Sequence, residues 1–76
     1  MQNSQIIHEF MKNATEKVRV DFSEFKGMDL ISVRVFYNAD EAGDDWRPTK
    51  KGITLRSDLL PELKKAVDKA YEEWQE

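Results

Sequence analysis

Residues 47–56 read Arg47-Pro48-Thr49-Lys50-Lys51-Gly52-Ile53-Thr54-Leu55-Arg56 and combine a proline, a glycine and a β-type run. Proline occurs in sheets at edges, bulges or bends, so the strand that Trp46 and Arg47 open is expected to be interrupted at Pro48. Ile53 and Leu55 alternate with polar residues, which predicts a final short strand with both side chains toward the core. The stretch also holds four cations and no acid, although the whole chain has a formal net charge of -3.

The length and composition predict a single small domain covering residues 1–76. A chain this short buries only about 60% of the surface that its unfolded form exposes, so its core is small. The sequence has no cysteine, so association into a homodimer is the expected route to added stability. No segment has the pattern of a signal peptide or a membrane span, which predicts a cytoplasmic protein.

Charge is distributed unevenly along the chain. Residues 17–56 hold eight cations and seven acids, and four of those acids lie between Asp40 and Asp45. Residues 57–76 hold three cations and six acids. Outside its acidic cluster the middle of the chain is therefore basic, which favours a surface that binds a polyanion.

Two β-strands are predicted ahead of this stretch. Residues 18–23 alternate apolar with polar side chains, and residues 30–37 are rich in β-branched and aromatic residues. A glycine-containing turn at residues 24–28 separates them, and a loop at 38–45 follows. The second strand places Ile31, Val33 and Val35 on one face and Leu30, Ser32, Arg34 and Phe36 on the other.

A C-terminal amphipathic helix is predicted after Ser57, which is a favourable N-cap residue. Pro61 is tolerated only in the first turn of such a helix. Residues 5–12, in contrast, fit both an amphipathic helix and a strand, and their pattern leaves both open. The apolar residues of the C-terminal helix recur every three to four positions: Leu60, Leu63, Val67, Ala70, Tyr71 and Trp74.

The chain offers little for catalysis. Its one histidine, His8, has no acid or nucleophile at a telling distance in sequence, which favours a surface or packing role. The loop carboxylates lack the ligand order of a calcium site and are interpreted as a solvated turn. Neither an enzyme nor a cofactor or metal site is expected. The loop carboxylates are Asp40, Glu41, Asp44 and Asp45.

Large rings lie at predicted turns and strand ends beside cations, as Phe25, Phe36, Tyr37 and Trp46 do. Rings stack on unpaired bases at ~1–3 kcal/mol each while cations follow the backbone, so the pattern favours single-stranded nucleic acid. The alternative is an ordinary solvated surface whose rings close the core at a sheet edge. For Phe22 and Trp74 the core role is expected, and the C-terminal position of Trp74 also favours a subunit interface.

Three motifs occur in a recognisable order. They are Ser23-Glu24-Phe25-Lys26-Gly27, Arg34-Val35-Phe36-Tyr37 and, after an acidic turn, Trp46-Arg47-Pro48-Thr49-Lys50-Lys51-Gly52-Ile53-Thr54-Leu55. With the amphipathic helix that follows, this order resembles the transcriptional coactivator family of the positive-cofactor-four type, in a bacterial-like form, over residues 17–72.

The resemblance implies an α+β fold: a four-stranded antiparallel, strongly curved sheet followed by one C-terminal amphipathic helix. It favours a first strand within residues 1–16. It also implies a homodimer whose helices pack together and whose sheets form a groove for single-stranded DNA, in a cytoplasmic, nucleoid-associated protein. Tyr37 stands where the family often has Trp, and Met28 where a basic residue is common.

The predicted site residues form two groups. Within the binding group, the resemblance implies that Phe25 and Lys26 contact the strand from the turn and that Arg47, Lys50 and Lys51 contact phosphates. The nucleic-acid-binding residues are Lys17, Arg19, Phe25, Lys26, Arg34, Tyr37, Trp46, Arg47, Lys50 and Lys51. The dimer-interface residues are Leu63, Val67, Ala70, Tyr71 and Trp74.

The leading hypothesis is a non-enzymatic homodimer that binds single-stranded DNA with little sequence preference and supports transcription or DNA repair and replication. One alternative is a protein-interaction adaptor that docks on the transcription or repair machinery through its acidic helix. The other is RNA binding, because unpaired RNA offers the same bases and phosphates.

Overall fold

The computed structural model describes residues 4–40 and 42–75. Four strands, β1 (Ser4–Met11), β2 (Glu16–Phe25), β3 (Met28–Asn38) and β4 (Trp46–Arg56), form one antiparallel sheet in the order β1-β2-β3-β4. A 3₁₀ turn (Ser57–Leu59) leads into helix α1 (Leu60–Trp74). The expected four-stranded antiparallel sheet with one C-terminal helix is confirmed. Residues 1–3, 41 and 76 of the predicted domain lie outside the described residues.

The N-terminal segment, for which both a helix and a strand were open, is strand β1 paired with β2. Ile6 pairs with Asp21 and His8 pairs with Val20, so Ile7 is the extra residue of a β-bulge. A bulge shifts the alternation of side chains by one residue. That shift explains why the apolar residues of β1 do not follow a period of two and also resemble a helical stripe.

The β2–β3 turn is tight. Phe25 pairs with Met28, so only Lys26 and Gly27 lie between the strands. Both have positive φ, 52° and 79°, as a two-residue type I′ hairpin turn requires. The motif Phe25-Lys26-Gly27 is therefore a turn that presents a ring and a cation side by side.

Strand β4 is continuous through Pro48. The separate final strand expected after Pro48 is therefore wrong, whereas the expected irregularity of the strand is confirmed. The register changes between Pro48 and Gly52, where three residues oppose Val35. The Thr49 hydroxyl donates a hydrogen bond to the Val35 carbonyl at 2.8 Å across this irregularity. The proline is accommodated because β4 is an edge strand and because the bulge absorbs the lost ladder contact.

The helix begins later than predicted. Ser57 starts the 3₁₀ turn, and the N-cap of α1 is Leu59, which makes no side-chain capping bond. Pro61 lies in the first turn, as expected. The helix is 15 residues long, and no helix in the described ranges has the length and apolarity needed to cross a bilayer.

Residues that pair directly across antiparallel strands lie on the same face of the sheet. The predicted division of β3 into two faces is confirmed by this register. Ile31 lies on the apolar face and is 2% exposed, whereas Phe36 lies on the other face and is 9% exposed. The apolar face is formed by Val18, Val20, Phe22, Ile31, Val33, Val35, Ile53 and Leu55.

Helix α1 does not cover this sheet. None of its residues is buried, and Val67 and Tyr71 are each 58% exposed. Trp74 is 82% exposed, so the expectation that it closes the core of its own chain is wrong. Trp74 is the last residue of this helix.

Candidate nucleic-acid interface

Five of the ten predicted binding residues lie on one side of the sheet, here called the polar face. Arg19 pairs directly with Arg34, and the odd-numbered residues of β2 follow the same side. Trp46 pairs with Asn38, which is on the side of Phe36. The polar face therefore carries Lys17, Arg19, Phe25, Arg34 and Trp46.

Two of these cations are held by one carboxylate. Lys17 Nζ lies 3.1 Å from Glu9 Oε1, and Arg19 Nε lies 2.6 Å from Glu9 Oε2. The side chains of Lys17 and Arg19 are only 14% and 19% exposed. Such half-buried, hydrogen-bonded pairs are less screened than surface pairs.

The same two cations also cover rings. Lys17 Nζ lies 4.4 Å from the centroid of the Trp46 ring, and the Arg19 guanidinium carbon lies 3.9 Å from that of Phe36. Both distances are within the range of a cation–π interaction. One side of Trp46 is therefore occupied by Lys17 and is not free to stack on a base.

The Arg34 side chain, which comes from β3, is hydrogen-bonded to β4. Its guanidinium donates to the Thr49 carbonyl at 3.1 Å and to the Thr54 hydroxyl at 3.0 Å. Gly52, opposite Arg34, has no side chain; a Cβ there would lie 3.0 Å from Arg34 Cβ. Arg34 thus stabilises the bulge of β4 that contains Lys50 and Lys51.

Tyr37 and Arg47 lie on the other side of the sheet, where they pair directly with each other. Arg47 donates to Asp45 at 2.8 and 3.3 Å, and this hydrogen bonding raises the pKa of the Arg47 guanidinium. Tyr37 is 40% exposed. The structure therefore separates this ring and cation from the polar face, although the prediction grouped all ten residues together.

The remaining predicted cations are exposed. Lys26 occupies the β2–β3 turn with its Nζ 5.2 Å from the ring centroid of Phe25, which is 44% exposed. Lys50 and Lys51 lie in the bulged part of β4 and are exposed. Within residues 4–40 and 42–75, none of these three lysines has a carboxylate oxygen within 4 Å.

Two carboxylates of the loop, those of Asp40 and Asp45, accept hydrogen bonds from residues close to them in sequence. Asp40 Oδ1 accepts from the backbone of Ala42, and Asp45 binds Arg47. Asn38 closes the loop by donating to the Gly43 carbonyl and accepting from Asp40 and Asp45 backbone amides. Glu41, included in the predicted acidic turn, lies outside the described residues.

Sequence reasoning missed Glu9 as part of this surface. Its pairing partners are eight and ten residues away, and the bulge in β1 changes which residues of β1 share their side. The sequence pattern predicts the correct face for Phe36 but does not predict that its ring packs against the Arg19 guanidinium. The signal available in the sequence was the single acid of β1 in a strand that pairs with a basic neighbour.

The Glu9 pairing predicts a pH effect on stability. Burial raises the pKa of the Glu9 carboxyl, but hydrogen bonds from Arg19 and Lys17 outweigh it and lower the pKa below 4.5. Because the pKa is lower in the folded state than in the unfolded chain, the ionised Glu9 carboxyl stabilises the fold above pH 4.5. This stabilisation is lost as the pH falls through the pKa of the folded state. We expect Glu9→Gln to flatten the decline of the melting temperature with acid, measured by circular dichroism.

Glu16→Gln provides the comparison for this measurement. Hydrogen bonds from Asn13 and Lys12 lower the pKa of Glu16 and burial opposes them, while Lys51 adds a further attraction. Both variants should therefore reduce the acid sensitivity. If the melting temperature of Glu9→Gln fell with acid as steeply as that of the parent chain, while that of Glu16→Gln fell less steeply, the prediction would be contradicted.

The protein-family model described as Transcriptional Coactivator p15 (PC4) matches residues 12–66. The fold is similar to the crystal structure of a PC4 homologue from Burkholderia pseudomallei K96243, with a TM-score of 0.81, 25% identity and coverage of 91% of this chain and 98% of that one. It is also similar to the bacteriophage T5 homologue of the eukaryotic transcription coactivator PC4, which is implicated in recombination-dependent DNA replication. There the TM-score is 0.75, the identity 28% and the coverage 96% of this chain and 82% of that one. No curated protein matches the chain.

Proposed function

Because the chain belongs to the Transcriptional Coactivator p15 (PC4) family, we propose that it is a non-enzymatic homodimer that binds single-stranded DNA with little sequence preference. Its role would be to support transcription or DNA repair and replication. The observation that carries the proposal is the exposed ring-and-cation pair at Phe25 and Lys26, together with the exposed lysines Lys50 and Lys51. Exposed aromatic rings stack on unpaired bases, and exposed ammonium groups bind the phosphates of the backbone.

A titration of oligo-dT followed by fluorescence anisotropy tests the binding. Neutralising phosphates of a single strand releases counterions, so the logarithm of affinity should fall linearly with the logarithm of salt concentration. No binding at low salt would refute the proposal. Competition with RNA of matched sequence distinguishes a general single-strand binder from a DNA-selective one.

Lys50→Ala with Lys51→Ala should weaken oligo-dT binding and flatten its salt dependence by about 1.4 in slope, since each single-strand phosphate contact contributes about 0.7. The matched control is Lys64→Ala with Lys65→Ala, an adjacent pair on α1 that is 74% and 78% exposed. This control removes the same number of positive charges from α1, outside the sheet. Equal slopes in both double variants would show that the β4 lysines do not contact phosphate.

The homodimer is supported by surface area. A compact protein of 8.9 kDa has an accessible surface of about 4,800 Å². This chain exposes 6173 Å². The excess of about 1,400 Å² is larger than the ~800 Å² that each partner buries in a standard interface.

The shape of the chain agrees with this excess. The radius of gyration is 14.2 Å, whereas a compact domain of this length has about 11.4 Å. Helix α1 carries an uncovered apolar stripe, and the apolar face of the sheet is only half buried. A second copy has the complementary surface by symmetry, because an isologous interface pairs a patch with itself. The proposed interface residues are Leu63, Val67, Ala70, Tyr71 and Trp74.

A further inference from the structure

Three cations of the polar face, Lys17, Arg19 and Arg34, lie close together. Arg19 pairs directly with Arg34, and Lys17 lies two residues from Arg19 on the same side of β2. Like charges placed directly opposite each other destabilise a sheet. Glu9 is the carboxylate that contacts Lys17 and Arg19, and it is itself only 29% exposed.

Glu9 uses both of its oxygens. Oε1 accepts from Lys17 at 3.1 Å and Oε2 accepts from Arg19 at 2.6 Å. Each cation also lies over a ring, Lys17 over Trp46 and Arg19 over Phe36. A phosphate that reaches either cation therefore meets a charge that the Glu9 carboxylate already partly neutralises.

Arg34 has a different constraint. It donates to uncharged oxygens of β4, on Thr49 and Thr54. Replacing one neutral acceptor by a phosphate strengthens such a bond, whereas replacing a carboxylate exchanges one anion for another. Lys17 and Arg19 thus gain less from a phosphate than Arg34 does while Glu9 is ionised.

We propose that Glu9 sets the affinity of the polar face for single-stranded DNA by competing internally with phosphate for Lys17 and Arg19. The inference rests on the proposed function and adds a residue that weakens the same interaction.

The test is Glu9→Gln, which keeps the shape of the side chain and removes its charge. Oligo-dT affinity at low salt should rise about fivefold or more, and the salt slope should steepen by about 1.4, because two cations become available to phosphates. The matched control is Asp68→Asn, which removes one charge from an exposed pair with Lys64 on α1. Distant exposed charges are screened, so this control should change the affinity by less than about twofold.

A double-mutant cycle separates competition from a general charge effect. Lys17→Ala should weaken oligo-dT binding little in the parent chain and much more in the Glu9→Gln background, because only there is Lys17 free. Equal losses in the two backgrounds would refute competition. Melting temperatures of all variants identify any loss that comes from unfolding.

The outcomes distinguish this inference from the function on which it rests. If the parent chain binds oligo-dT and Glu9→Gln matches Asp68→Asn, the competition is refuted and the function stands. If a folded Glu9→Gln binds more weakly than the parent, Glu9 positions the cations and the inference is overturned. If neither chain binds, both are refuted. Tighter binding by Glu9→Gln, with the predicted cycle, supports both.

Discussion

Replacing Gly52 by alanine is expected to destabilise the protein by about 3 kcal/mol or more. A Cβ at this position would overlap the carbonyl oxygen of Val33 and lie 2.7 Å from the Cα of Arg34. Both neighbours are backbone atoms of β3, the strand that pairs with β2 and β4. Gly52 also has a φ of 154°, which L side chains rarely adopt.

The loss is large for a chain of 76 residues, because the total stability of such a domain is about 4–11 kcal/mol. The melting temperature should fall by roughly 12–24 °C, measured by circular dichroism or calorimetry. Binding of oligo-dT should fall with it, since the bulge that presents Lys50 and Lys51 is held against Arg34.

Gly27→Ala is the matched control. Gly27 also has a positive φ, 79°, but a Cβ there meets no atom within 4 Å. It should therefore cost only about 1–2 kcal/mol, the penalty for a left-handed residue. If Gly52→Ala were as mild as Gly27→Ala, the close approach of β4 to β3 would be wrong.

Val67→Asp is expected to convert the proposed homodimer into monomers. Val67 lies at the centre of the apolar stripe of α1 and is 58% exposed in the single chain. In an isologous interface the substitution introduces two carboxylates near the symmetry axis. Burying them without partners should cost about 3 kcal/mol, which weakens dimerisation by more than about 100-fold. Light scattering coupled to gel filtration measures the mass directly.

Lys65→Gln provides the control for Val67→Asp. It makes the same change in net charge on the same exposed helix and, like Val67→Asp, changes helix propensity little, but it lies about 160° around the helix from Val67. We expect it to leave the mass unchanged. Dissociation by both variants would indicate that charge, and not the stripe, controls association. A parent chain that is already monomeric would refute the dimer.

Much of the fold follows from local patterns in the sequence. The alternation in residues 18–23, the β-branched run at 30–37 and the apolar spacing of α1 each predict the observed element. The failures occur where a local irregularity interrupts the pattern. The bulge at Ile7 disguises β1, the bulge after Pro48 joins two predicted pieces, and the 3₁₀ turn at Ser57 delays the helix.

The candidate site was predictable in residue type but not in arrangement. Turn chemistry brings Phe25 and Lys26 together, and this neighbourhood is local. The assignment of Tyr37 and Arg47 to the opposite side depends on register, and the pairing of Glu9 with two cations depends on a contact between strands. Composition and spacing carry no information on which acid meets which base across a sheet.

The irregular outer strands have a consequence for how copies of this chain meet. An open sheet offers its first and last strands as templates for further strands, which leads to unlimited stacking of molecules. Here the first is interrupted by a bulge at Ile7, and the last by Pro48 and two neighbouring lysines. Growth of fibres by edge pairing is therefore disfavoured at both borders, which leaves the apolar surfaces of α1 and of the sheet, and not the strand edges, for the proposed homodimer.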